Sequence, residues 1–256
     1  MTGGRRLEPA QRRLRARTDG EWVIDTTDTW LLYEPGRHPT FVVPSSALPA
    51  LDRTDGRTDE RGGRWMALAG RADRRVRLWD SPPPDIPELV DLAAIPLDIA
   101  DEWYEEDVQM SFKPRDPYRR VDVLESSRRV TIHVENIVVA ETDRPRLVLE
   151  TGMPPIWYVP LAAVDVDWLR PTQLRTLCQY KGTAHYWDVV TSTGTHEELA
   201  WGYPDPISAA SKLAGHVAFA PWHPDVTTTV GGHVQHVDDP HPSWSNPSSH
   251  LAQARR

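Results

Sequence analysis

Cysteine occurs once in the 256 residues, as Cys178, and only three of the 29 basic residues are lysines, Lys113, Lys181 and Lys212. A single thiol excludes an intramolecular disulfide and a cysteine-built zinc cage, which points to a reducing compartment. No stretch approaches the roughly 18 apolar residues of a membrane span. The opening Met1-Thr-Gly-Gly-Arg-Arg6 has charge but no apolar segment behind it. A soluble, cytoplasmic protein without a membrane partner is therefore expected. Positive charge is also short: a net charge of −8 and a pI near 5.7 do not make the concentrated positive field that nucleic acid needs. The one basic cluster, from Arg5 to Arg17, reads from Arg12 onward as a solvated strand face. No cofactor and no metal site are expected.

Apolar material is present in quantity, at 39% of residues with eleven tryptophans, enough for one large core or two of about 100 residues each. Two is the better count, because the chain matches itself when shifted by 116 residues. From Arg12–Pro44 onto Arg128–Pro160 the match is gapless, with identities at Arg12, Arg13, Val23, Thr26, Leu31, Glu34, Gly36, Pro39, Val43 and Pro44. Chance would give about two. The expected organisation is a first repeat over 12–112, a connector over 113–127, a second repeat over 128–232 and a disordered tail over 233–256, with the two repeats packed on each other.

Each repeat opens with alternating apolar residues around a two-residue turn, Asp19-Gly20 in the first and Glu135-Asn136 in the second. This is the pattern of a β-hairpin. A short strand, a Glu-x-Gly turn and a strand closed by Pro44 or Pro160 follow, and proline's missing N–H ends such strands or confines them to an edge. The fold class predicted is mainly β: two tandem related small antiparallel domains, sandwich or barrel-like, with a few short helices. Helical turns are expected over 99–107 and over 207–214, the latter with Asp205 as cap, Pro206 at the first position and Gly215 beyond the end.

The repeats diverge most at Cys178-Gln-Tyr-Lys-Gly-Thr-Ala-His-Tyr-Trp187, where a thiol, an amine and several rings crowd together. Cys178 and Lys181 are the catalytic candidates. A lysine near a thiol lowers its pKa, but residues three apart share a cavity only if a turn intervenes, and Gly182 suits one. In a chain that writes positive charge as arginine, Lys181 suggests a lysine-specific role, either a compact ammonium for an anion or an amine nucleophile. The bland readings are a buried core thiol and a solvated strand lysine. Tyr180, Tyr186, Trp187, Trp201, Tyr203, Trp157 and Tyr158 are the candidate ligand-binding residues, and they serve equally well as core. His185, Glu197 and Glu198 are the nearest acid–base groups. Asp165-Val-Asp167 has the spacing of a nucleotidyltransferase metal site, without a glycine-rich phosphate loop before it, and reads more simply as a solvated face. His233, His236 and His241 form a weak metal-binding pattern in the tail.

Several separated stretches resemble the DUF427 family in its tandem actinobacterial form. They are Lys113-Pro-Arg-Asp-Pro-Tyr-Arg-Arg-Val121, Glu150-Thr-Gly-Met-Pro-Pro-Ile-Trp-Tyr-Val-Pro160, Cys178-Gln-Tyr-Lys-Gly182, Tyr186-Trp187 and Trp201-Gly-Tyr-Pro-Asp-Pro206, in that order. The resemblance spans roughly residues 12–232 and implies a compact, mainly β fold with a shared pocket of unestablished chemistry. One name attached to the family alludes to nucleotidyl transfer. Gln179 departs from the family's frequent proline and Ile156 from a common basic residue, which removes an arginine that an anion clamp would borrow. The leading expectation is a small-molecule-binding protein, possibly an enzyme, with its site in the second repeat. The alternatives are a non-catalytic structural or interaction module and, last, a metal-dependent nucleotidyltransferase.

Overall fold

The structure, a computed structural model, describes residues 4–110 and 113–238. The chain divides into two compact units, Met1–Asp116 and Pro117–Arg256. The first contains β1 (Arg6–Pro9), β2 (Leu14–Thr18), β3 (Glu21–Thr26), β4 (Trp30–Tyr33), β5 (Thr40–Pro44), β6 (Leu51–Thr58), β7 (Arg64–Leu68), β8 (Arg71–Leu78), β9 (Leu92–Ile95), β10 (Glu102–Glu105) and β11 (Val108–Met110). The second contains β12 (Val121–Glu125), β13 (Val130–Val134), β14 (Ile137–Thr142), β15 (Arg146–Glu150), β16 (Ile156–Pro160), β17 (Leu169–Cys178), β18 (Gly182–Val190), β19 (Thr195–Gly202), β20 (His216–Phe219), β21 (Val226–Val230) and β22 (His233–Gln235). Among the described residues the helical segments are short 3-10 turns, and no helix is long and apolar enough to cross a membrane.

Each unit is built from a seven-stranded and a four-stranded antiparallel sheet, and the strand order is the same in both. The first runs β1-β4-β5-β9-β8-β7-β6 with β3-β2-β10-β11; the second runs β12-β15-β16-β20-β19-β18-β17 with β14-β13-β21-β22. In the second unit β13 and β21 bury every other residue, as a strand with one solvated face must. Their inward Val130, Ile132, Val134, Val226 and Val230 pack on Val159, Val189, Ala200, Val217 and Phe219 of the larger sheet. The larger sheet is covered on its other face as well. There Val148, Tyr158, Ala184, Tyr186 and Tyr203 meet Ala210 and Leu213 of a 3-10 segment. Burial on both faces explains why Ile156-Trp-Tyr-Val159 of β16 is buried without alternation.

Both expected hairpins form. Asp19 and Gly20 take φ of 53° and 83°, as a type I′ turn requires, and Glu135 takes 56° in the second unit. Pro44 and Pro160 end strands that lie inside their sheets rather than at an edge. Other local expectations give way to pairing. The acidic stretch over 99–107, read as a helical turn, supplies β10, because Trp103 and Tyr104 pair with Ala16 and Arg15 of β2. The helix over 207–214 is only a 3-10 segment, Ser208–Leu213, broken at Ala210. Its approach is already used in pairing: Pro206 bridges Gly182, and the Ile207 amide donates to the Lys181 carbonyl at 3.0 Å. Asp205 therefore caps nothing. The stretch read as connector, 113–127, contains β12, and β1 precedes residue 12 and pairs with β4. β22 lies in the expected tail and pairs with β21, while 239–256, including His241, falls outside the described residues.

Candidate functional site

Glu150 closes β15, where Gly152 at φ 77° turns the chain and the Met153 amide donates to the Glu150 carbonyl at 2.9 Å. Arg119 approaches from just before β12, whose register sets Val121 opposite Glu150. Its Nη2 and Nε donate to Glu150 Oε1 at 2.6 and 2.9 Å. Lys181 comes from the turn joining β17 and β18, where Cys178 pairs with Gly182. Its Nζ donates to Glu150 Oε2. In a flat sheet β15 and β18 stand four places apart, about 19 Å at the usual inter-strand spacing. The ion pair forms because the sheet curls until its second strand meets the far hairpin.

The turn is held by the backbone. Gly182 has φ of +113°, and a Cβ there would stand 3.1 Å from the Asp205 carbonyl oxygen and 3.3 Å from the Pro206 Cα. Gly182→Ala is therefore expected to cost about 1–3 kcal/mol through left-handed strain and to release the turn from 205–207. Loss of hydrogen-exchange protection at the Ile207 amide measures this.

Around the charges lie Tyr158, Tyr186 and Tyr203, all buried in one cluster with Cys178 and Trp201 at its margin. The Trp201 indole N–H donates to the Tyr158 hydroxyl at 2.9 Å, and the Tyr186 hydroxyl lies 2.7 Å from the Thr176 hydroxyl. Lys181 Nζ lies 5.8 Å from the Tyr203 ring centroid, within cation–π range. Burial pushes the Tyr158 hydroxyl up to about 12 and that of Tyr203 well above the ordinary tyrosine value. Burial also opposes the Lys181 charge, but Tyr158, Glu150 and Cys178 outweigh it and hold the ammonium above the ordinary lysine value. Burial opposes the Glu150 charge too, and the Lys181 and Arg119 cations override it and hold the carboxyl below the usual range.

That last shift fixes a pH dependence. A depressed carboxyl stabilises the fold above its unfolded pKa of about 4.3 and loses that contribution as pH falls through the folded value. The Glu150 contribution to the urea midpoint is expected to be constant from neutrality to near pH 5 and then to fall. In Glu150→Gln the acid limb is expected to be shallower.

Of the residues singled out in the sequence, Cys178, Lys181, Tyr158, Tyr186, Trp201 and Tyr203 come together. The turn places the Cys178 thiol close enough to bear on Lys181 and all three tyrosines. Tyr180 sits nearby with the Arg119 guanidinium 5.6 Å from its ring centroid. Trp157 and Trp187 do not join them: both face the sandwich interior between the two sheets, and Arg128 lies 4.6 Å from the Trp157 ring centroid. His185, two residues from Trp187 on β18, falls on that same side. Asp165 accepts from the Asp167 amide at 3.2 Å and the Trp168 indole at 3.1 Å, so its carboxylate caps a 3-10 turn. Glu150 and Arg119 were not singled out as site residues. The available signal was the Glu34/Glu150 identity between the repeats.

The first unit repeats the buried acid with a different charge count. Glu34 pairs with Arg77 Nη1 at 3.1 Å and Arg61 Nη1 at 3.4 Å. Arg77 also reaches Asp59, Nε to Oδ2, at 2.8 Å. Two arginines thus meet two carboxylates. In the second unit, Gln179 follows β17 where Asp59 follows β6. Among the described residues Glu150 is the one carboxylate in ion pairs with Arg119 and Lys181. Two cations there meet a single acid.

The second unit is thus a curled antiparallel sandwich with a buried, positively biased charge cluster at one end. Residues 122–230, within the second unit, match the model of a family described as a domain of unknown function, DUF427. No curated protein matches the chain.

Proposed function

We propose that the second unit binds a small anionic molecule beside Lys181, where the end of β15 meets the β17–β18 turn. The observation that carries this reading is the surplus positive charge of the Arg119–Glu150–Lys181 group, in which Glu150 and Lys181 are nearly buried. Withdrawing a cation from water without a full counter-charge costs several kcal/mol, and an anionic ligand offsets that cost. The raised Lys181 pKa favours a fixed ammonium over an amine nucleophile. Tyr158, Tyr186, Tyr203 and Trp201 supply walls and hydroxyls, Tyr180 and Arg119 the rim, and Cys178 is the group through which binding would become chemistry. The common strand order and the self-match at Glu34 and Glu150 support reading the first unit as a second, charge-balanced copy. A purely structural role for the cluster is the second reading, favoured by the burial of Tyr158 at 1% and Tyr203 at 6% exposure.

Thermal unfolding in phosphate, sulfate, citrate and mononucleotides at constant ionic strength separates the two. An anion at about 100 times its Kd stabilises by roughly 2.7 kcal/mol, a rise of about 5–11 °C for a chain of this size. The rise is expected in the native protein and not in Lys181→Met. Equal responses in both proteins, or none in either, would support the structural reading.

A further inference from the structure

A second cluster, distant in sequence from the tyrosines, has the chemistry of a metal site. Three turns of the second unit converge on it: 134–137 between β13 and β14, 190–195 between β18 and β19, and 220–226 ahead of β21. The first and third are joined by the Glu135 amide donating to the Asp225 carbonyl at 2.6 Å, while bonds from Thr191 to Gly194 at 2.8 Å and from Val226 to His223 at 2.9 Å close the second and third from within. One ring nitrogen each of His196 and His223 and one carboxylate oxygen of Asp225 all lie within 4.8 Å of one another.

The lone pairs decide what belongs between them. His196 presents Nε2 to Glu135 Oε1 at 3.2 Å and Nδ1 to Asp225 Oδ2 at 3.4 Å. In the tautomer whose Nε2–H donates to Glu135, Nδ1 carries the lone pair and has the Asp225 oxygen beside it. His223 Nδ1, 3.8 Å from the same oxygen, is also an acceptor, receiving the Asp225 amide at a long 3.3 Å. Three atoms able to ligate a metal thus lie together, and an ion there would take the His223 Nδ1 lone pair from the long Asp225 amide contact. Ligands about 2.0–2.1 Å from a tetrahedral zinc stand about 3.3–3.4 Å apart, so the site needs little closure. Glu135 is in turn fixed by the Thr193 hydroxyl, which completes the carboxylate–histidine support typical of metal ligands.

We propose that His196, His223 and Asp225 bind one zinc ion, with Glu135 as the positioning residue behind His196 and the fourth coordination position open to solvent. Two imidazoles and one carboxylate suit zinc better than calcium or magnesium, which prefer all-oxygen sites. His223 and Asp225 have side-chain exposures of 33% and 45%, which gives the ion a path in.

Zinc titration of the full-length protein against a chromophoric chelator tests this, with cobalt absorption as a second readout. One tight equivalent is expected, with affinity at least 100-fold weaker in His223→Gln and Asp225→Asn. Glu135→Gln is expected to weaken it about tenfold and to shift the cobalt bands. A variant with His233, His236 and His241 all replaced by alanine is expected to bind as the native protein does. X-ray absorption of the zinc-loaded native protein should show two imidazoles, independently of how any variant folds. No tight equivalent, unchanged affinity in the two ligand variants, or loss in the tail variant would overturn the assignment.

Discussion

Glu150→Gln is expected to destabilise the second unit by about 3–5 kcal/mol, the usual cost of stranding buried charge. Glutamine keeps the shape of the side chain, so the loss isolates its charge. Two cations are left facing each other, and Lys181 is only 9% exposed. The effect is directional. Lys181→Met leaves Arg119 and Glu150 as a complete pair, and its expected cost is smaller, about 1–3 kcal/mol, that of a hydrogen bond to a charged group. Urea unfolding of both variants measures the order directly, and a lysine variant less stable than the glutamate variant would argue against a positive surplus.

Arg77→Met is expected to be the corresponding lesion in the first unit, at about 3 kcal/mol or more. There the arginine is the hub: it is 4% exposed and joins Glu34 to Asp59. Its guanidinium also lies 4.8 Å from the Trp79 ring centroid, and methionine cannot supply that cation–π attraction. Asp59 keeps the amides of Arg61 and Gly63 and the Trp65 indole, and Glu34 keeps Arg61, which sets the cost toward the lower end of the range. Burial opposes the Asp59 charge, but the Gly63 and Arg61 amides and Arg77 hold its carboxyl below the usual range, so the deficit should shrink only in acid, as that carboxyl takes up a proton. Hydrogen exchange resolved by peptide reads this in β7–β9, and protection of those strands equal to native would contradict the hub role.

The fold was legible where local pattern and tertiary pairing agree. Val130, Ile132 and Val134 alternate because one face of β13 is solvated, and the order of residues along the chain displays that alternation directly. Reading failed where pairing overrode a local preference. The Glu102–Glu105 stretch looks like an acidic helical turn, yet Trp103 and Tyr104 serve β10. Residues 207–214 have helix-forming composition, yet the Ile207 amide is already committed to Lys181.

The candidate site was half legible for a related reason. Cys178, Lys181, Tyr186, Trp201 and Tyr203 could be gathered from sequence because a hairpin and its neighbouring strand carry them. Trp157 and Trp187 were misgrouped, since which way a ring points depends on register rather than on proximity along the chain. Glu150 was passed over because its partner arrives only when the sheet curls, and no local pattern records that. Its recurrence as Glu34 was the trace it left.

Mass spectrometry of small molecules retained by the native protein from a cell extract, run beside folded Lys181→Met, tests the central claim most directly. An anionic compound held by the native protein and lost from the variant is the expected result. Retention of the same compound by both proteins, or of no anion by the native one, would contradict a charge cluster built to hold a ligand.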